Sequence, residues 1–137
     1  FNITLSESVE MVLWALENAL GGEILVPKIP SYRIRDVAEA IGPSCDKPII
    51  GIRPGEKIHE VMISKEDSRS TYEYDWYYKI LPTLNSWHKD VNRIKNGLKV
   101  HEDFVYSSDT NDKWMSVEQL KSFIESPSYL ELQELNI

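Results

Sequence analysis

The chain has 137 residues, 42% of them hydrophobic and 27% charged, which suits a single soluble domain with a core of its own. Its 22 acidic residues against 15 basic ones leave a net charge of −7, which excludes general binding to nucleic acid or to anionic membranes, since both need a basic footprint. Cys45 is the only cysteine, so no intrachain disulfide can form, and no apolar run reaches membrane-spanning length; a cytoplasmic domain without a signal peptide is the expectation.

Thr4-Leu5-Ser6-Glu7 has the pattern of a capping box, a hydroxyl and a carboxylate three residues apart that satisfy free amides at a helix start. Val9, Val12, Leu13, Leu16 and Leu20 then recur at helical spacing, and Gly21-Gly22 stop the helix. Met11 and Trp14 widen the apolar stripe, which predicts a helix buried on two sides. Glu23 to Val26 reads as a short strand ended by Pro27. Lys28-Ile29-Pro30-Ser31 is a loop stiffened by its prolines, where Lys28 either faces an anion or is simply solvated.

Ile34, Val37, Ala38 and Ile41 make a second amphipathic helix ended by Gly42-Pro43, with Arg33 in place of a capping hydroxyl. Lys47 to Ile52 reads as a second strand. The alternation of helix and strand predicts an α/β unit with parallel pairing of the two strands.

Arg53-Pro54-Gly55-Glu56 then forces a turn, and Ile58, Val61 and Met62 suit one face of a short helix. An arginine on a tight turn at a strand's exit stands where open α/β sheets place ligand contacts. Its guanidinium suits bidentate capture of phosphate oxygens, and Glu56 suits ribose hydroxyls. The alternative is an exposed pair in which Arg53 and Glu56 bind only each other.

Ser64 to Ser70 is a polar loop. Thr71 to Leu81 is β-prone and crowded with Tyr72, Tyr74, Trp76, Tyr77 and Tyr78. Such crowding can mark a platform for stacking bases, but without interleaved basic residues a packed strand is the better reading. Trp87, Val91 and Ile94 predict a short helix broken near Asn96-Gly97. Phe104 to Tyr106 predicts a strand, and Ser107 to Asp112 carries turn residues. Ser116-Val117-Glu118-Gln119 is a second capping box, opening a helix that turns Leu120, Phe123 and Ile124 inward until Pro127. A single domain over 1–137 follows, with a flexible tail over 126–137.

Several chemistries have no support in the sequence. No G-x-G-x-x-G or G-x-x-G-x-x-G occurs to cradle a dinucleotide pyrophosphate, and no Tyr stands four residues before a Lys; Asp75 holds that place before Lys79. His59-Glu60 begins an H-E-x-x-H pattern that Ile63 breaks, and His88 and His101 lack spaced ligands, so no metal site is expected. No nucleophile elbow supports a Ser/His/Asp triad.

Three separated motifs carry a resemblance: G-G-E-I-L-V-P-K-I-P-S, G-I-R-P-G-E-K-I-H-E-V-M and Y-S-S-D-T-N-D, in that order. From Phe1 to about Ile124 the chain resembles the carboxyl-terminal part of inverting UDP-N-acetylglucosamine 4,6-dehydratases, extended short-chain dehydrogenase/reductases of polysaccharide and glycan biosynthesis. The resemblance implies an α/β substrate-binding domain of short parallel strands with flanking helices and an irregular aromatic-rich extension. It assigns Arg53 to the diphosphate and Glu56 to the uridine ribose, with Lys28 to Ser31 walling the same pocket. The family's Gly-rich turn, Tyr-x-x-x-Lys pair and substrate-side Asp-Lys pair would all lie ahead of Phe1. No catalytic, cofactor-binding or metal-binding residue is therefore expected here, and the chain alone should be inactive.

For the complete family enzyme the resemblance implies bound NADP, none of it held by this chain. It also implies a UDP-sugar substrate, an amino-terminal Rossmann half as partner, and a homo-oligomer. Water is lost across carbons 5 and 6 of the sugar, with inversion at carbon 5. The competing reading is a noncatalytic interaction or oligomerisation module derived from that family.

Overall fold

Thr4 opens the first helix as the spacing predicts. In the computed structural model, which describes residues 1–126, its hydroxyl accepts from the Glu7 amide, while the Glu7 carboxylate accepts from the Thr4 amide at 2.8 Å. Helix α1 runs Leu5–Asn18, and the chain then passes through Gly21 and Gly22 into strand β1, Ile24–Pro27. Helix α2 spans Ile34–Ile41 and, as expected of Arg33, starts with no side-chain cap. Strand β2, Val61–Ile63, follows a long irregular stretch. Strands β3, Thr71–Glu73, and β4, Tyr77–Ile80, form a hairpin. After a 3-10 turn at Leu84–Lys89 come α3, Val91–Ile94, β5, Leu98–Lys99, β6, Tyr106–Ser107, and α4, Val117–Ile124.

The α/β class is borne out, and four local expectations are corrected. The described strands of the main sheet, in the order β1-β4-β3-β5, are all antiparallel, so the predicted parallel pairing is absent. Among the described residues a parallel contact occurs only as an isolated bridge between Ser31 and Trp114. Lys47 to Ile52 forms no strand, because nothing described here offers its backbone a partner: Ile49, Ile50 and Ile52 are exposed. The helix predicted after the turn is strand β2, where β-branched Val61 and Ile63 pair with β6 instead. Finally, α1 buries no residue, although its inner side rests on the sheet. The predicted tail lies almost wholly in 127–137, outside the described residues.

The core gathers Val26, Ile63, Tyr78, Ile80, Val100 and Tyr106, with Phe1, Met62 and Phe104 packed against it. Pro27 is tolerated because β1 is an edge strand, where a missing N–H breaks no ladder. The aromatic stretch is packed, as the lack of interleaved basic residues favoured, but as a hairpin of two strands rather than one. Tyr74 stacks on Tyr77 at 4.5 Å between ring centroids, and Trp14 of α1 meets Trp76 edge-on at 5.0 Å. Burial pushes the Tyr74 and Tyr78 phenols from 10.0 up to about 12.

A phenol whose folded pKa is raised lends stability that is complete below its unfolded pKa and vanishes as pH climbs through the folded value. The domain is therefore expected to keep this contribution to its stability up to about pH 10 and to lose it towards pH 12. Phenolate absorbance followed together with circular dichroism checks this. Ionisation of every tyrosine near pH 10 in a still-folded chain would contradict it.

Candidate functional site

Arg53-Pro54-Gly55-Glu56 closes a tight turn, the Glu56 amide donating to the Arg53 carbonyl at 3.1 Å. Pro54 presets its own φ, and Gly55 sits at φ 86°, the left-handed conformation that the third residue of a type II turn requires. The turn folds Glu56 back onto Arg53. One carboxylate oxygen accepts from the Arg53 amide at 2.7 Å, and the other accepts from both Nε and Nη2 at 2.6 Å. The Arg53 amide, then its guanidinium, holds the Glu56 carboxyl below the usual carboxylate range. Arg53 is 77% exposed, so water screens this clasp and an anion can compete for the guanidinium.

Beside the turn lies an open depression of about 620 Å³, walled by Ile34, Ile52, Gly55, Glu56, Lys57 and Glu60. Its walls come from both sides of Arg53 rather than from the Arg53 side chain itself. Lys57, which sequence reasoning passed over, puts a cation on this wall; its place directly after Glu56 in the motif was the available signal. Ile34 begins α2, whose first amides have no side-chain cap.

The other two predicted residues lie elsewhere. Lys28 donates to Glu73 at 2.7 Å, sits 4.9 Å above the Tyr78 ring, and lines two clefts on the aromatic side, with Trp14 and Trp76 as common walls. Ser31 is fully buried: its hydroxyl accepts from Asn111 Nδ2 at 3.0 Å, and its backbone bonds Lys113 and Met115. Arg53 and Glu56 are thus brought together, whereas Lys28 and Ser31 are each engaged with other residues.

What joins these stretches is the third motif. Tyr106 both accepts from the Ile29 amide and donates to the Ile29 carbonyl, each at 3.0 Å, and Asn111 Nδ2 also donates to Ile29 O at 2.9 Å. Ser108 accepts from the Glu60 amide at 3.0 Å, while Asp109 lies 3.8 Å from His59. One turn-rich segment therefore pins both the 28–31 loop and the end of the Arg53 motif. Sequence reasoning missed this positioning role, although it quoted the residues. The described residues hold no cluster of three or more metal-ligating side chains, and no helix among them is long and apolar enough to cross a membrane.

The meeting of three distant motifs is the kind of arrangement a family preserves, and a family model described as "Polysaccharide biosynthesis protein" matches residues 1–82. The chain belongs to the polysaccharide biosynthesis protein family. Two relatives from Campylobacter jejuni subsp. jejuni are both named "UDP-N-acetylglucosamine 4,6-dehydratase (inverting)". The serotype O:2 protein is 46% identical over 129 residues, and the serotype O:23/36 protein is 43% identical over 129. Each alignment covers 90% of this chain and 39% of the relative, so the chain spans about two fifths of the length of these curated relatives.

The X-ray structure of Pen from Bacillus thuringiensis superposes with a TM-score of 0.70 at 24% identity, over 96% of this chain and 38% of that one. At that identity the likeness speaks for fold alone. The resemblance drawn from the three motifs is borne out by these matches, and the fold is shared with that solved structure.

Proposed function

We propose that this member of the polysaccharide biosynthesis family is the UDP-sugar-binding portion of a 5-inverting UDP-N-acetylglucosamine 4,6-dehydratase. The observation that carries this reading is the exposed Arg53, held on a type II turn and, among the described residues, occupied only by its own Glu56. A diphosphate offers the guanidinium two charged oxygens in place of one shared carboxylate oxygen, so the clasp opens toward the ligand. Glu56, released from Arg53 Nε, then accepts from ribose hydroxyls. Lys57 and the uncapped start of α2 add positive potential along the same depression, in a chain whose net charge is −7. Lys28 supplies a further cation on the aromatic side, where Glu73 is its partner in this structure, and Ser31, covered by Asn111, holds that loop in place.

The family's reaction needs a nicotinamide cofactor, NADP in this proposal, which supplies hydride transfer when bound to the complete enzyme. The residues present do not fit such a group. The starts of α1 and α4 are closed by their own capping boxes, and no glycine turn links a strand to a helix among the described residues. This chain's part is to hold UDP, so that binding energy far from the reacting carbons fixes the sugar in place. Its partners would be a cofactor-binding portion and further copies in a cytoplasmic assembly, with 1–137 acting as one domain.

The alternative, a noncatalytic interaction module, is favoured by one observation, the exposed apolar side of α1. Titration calorimetry with UDP and with UDP-N-acetylglucosamine separates the two. The proposal expects saturable binding of both by this chain and no 4-keto sugar nucleotide from the chain with NADP alone. Absence of UDP binding would defeat it, and turnover by the pure chain would defeat the division of labour.

A further inference from the structure

The tip of the β3–β4 hairpin holds an aromatic side chain out to solvent. The Lys28 amide donates to the Trp76 carbonyl at 2.9 Å, and the Tyr74 amide donates to the Tyr77 carbonyl at 2.9 Å, so the tip is fixed from both sides. Trp76 is 43% exposed. Trp14 meets it at 80° and Tyr77 at 55°, so neither ring lies flat on the indole. Tyr74, by contrast, is stacked on Tyr77 at 1°.

Beside Trp76 runs an open cleft of about 570 Å³, within the roughly 300–1,000 Å³ of small-molecule sites. Asn96 and Leu98 form part of its wall, and the backbone that brings them there is costly to hold. Lys95 sits at φ 52°, a positive value that a residue with a side chain rarely adopts. A Cβ at Gly97 would lie 2.5 Å from the Tyr74 ring, so only glycine lets the chain pass so close. The Tyr74 hydroxyl closes the junction by donating to the Ile94 carbonyl at 2.7 Å. Among the described residues this cleft and the depression beside Arg53 have no wall in common.

The polar groups decide what such a cleft takes. Glu73, Asp75, Asn96 and Lys28 all line it. Lys28 holds Glu73, whereas the Asp75 carboxylate and the Asn96 amide have no hydrogen-bond partner among the described residues. Two carboxylates oppose a phosphate, and the Lys28 ammonium opposes an organic cation. An apolar ligand would strip water from Asp75 and Asn96 and replace nothing. A neutral pyranose meets every condition: its C–H face packs flat on an indole, while its hydroxyls donate to a carboxylate and accept from an amide.

We infer that the cleft beside Trp76 binds a neutral saccharide, stacked on that indole and hydrogen-bonded by Asp75 and Asn96. Trp14, Lys28 and Trp76 also wall a second cleft of about 390 Å³ that includes Met11 and Ile29, which leaves room for more than one sugar unit. The inference goes beyond the UDP reading and does not depend on it.

Calorimetry and tryptophan emission with cellobiose and with N,N′-diacetylchitobiose test it. The expected result is saturation by at least one of the two, with a Kd below about 10 mM and no displacement by UDP. Trp76→Ala should weaken binding at least about tenfold, because the stacking surface is lost. Asp75→Ala with Asn96→Ala, two exposed positions, should weaken it by roughly tenfold through the lost hydrogen bonds. Thermal unfolding reports whether each variant keeps the fold, and the double variant decides the matter should Trp76→Ala misfold. The inference is overturned if neither disaccharide saturates, if either folded variant binds as the original does, or if UDP displaces the disaccharide. UDP binding without disaccharide binding removes this inference alone, and the reverse removes the UDP reading alone.

Discussion

Arg53→Ala is expected to weaken UDP binding roughly ten- to a hundredfold, the usual consequence of removing one charged partner from a hydrogen-bonded pair. The unfolding midpoint should stay where it is, because the Arg53 side chain is 77% exposed and, among the described residues, its polar partner is Glu56 within its own turn. The variant therefore separates ligand recognition from folding. Glu56→Gln should act differently. It keeps the shape of the turn but loosens the clasp, so diphosphate contacts are made more readily while the ribose contact is weakened. Calorimetry with UDP and with pyrophosphate reads the two effects apart. Equal UDP affinity in Arg53→Ala and the original chain would remove Arg53 from the site.

The largest effect on stability should come from Arg93→Ala. Arg93 is buried beneath the end of α1, with Nη1 donating to the Gly21 carbonyl at 2.7 Å and to Glu23 at 3.1 Å. Its guanidinium also lies 4.1 Å from the Trp87 ring, and Nη2 reaches the Leu20 carbonyl at 3.4 Å. The Glu23 side chain has no solvent exposure, so truncating Arg93 leaves a carboxylate buried without its countercharge. Breaking such a pair from one side costs about 3–5 kcal/mol, a large share of the roughly 5–15 kcal/mol by which domains are stable. Urea unfolding should show a much lower midpoint, and Glu23→Gln added to Arg93→Ala should recover part of the loss. Arg93→Ala unfolding like the original chain would show that the pair contributes little.

The contrast between these two arginines bears on how much could be read in advance. Arg53 was legible because its neighbours Pro54 and Gly55 dictate a turn whatever surrounds them, and because the motif around it is distinctive. Arg93 was not legible: its partners lie about 70 residues away on the chain, and neither local spacing nor composition reports such a contact. The same division applies to the loops. Lys28 and Ser31 were singled out through the resemblance, yet Glu73 and Asn111, far along the sequence, set what their side chains meet.

By itself the sequence determined what depends on adjacent residues: the capping boxes at Thr4 and Ser116, the Arg53-Pro54-Gly55-Glu56 turn, the end of α2 at Gly42, and the motifs that identify the family. These follow from backbone sterics and from hydrogen bonds spanning three or four residues, which need no partner elsewhere. Only the tertiary structure decided strand direction, the identity of Val61–Ile63 as a strand, the exposure of α1's outer stripe, and the use of Tyr106 and Asn111 as the tie between loops. An alternating or periodic apolar pattern states that a face will be covered, but not by what. Ile49, Ile50 and Ile52 carry the pattern of a buried strand and stay uncovered here, because a strand exists only where another backbone answers its hydrogen bonds.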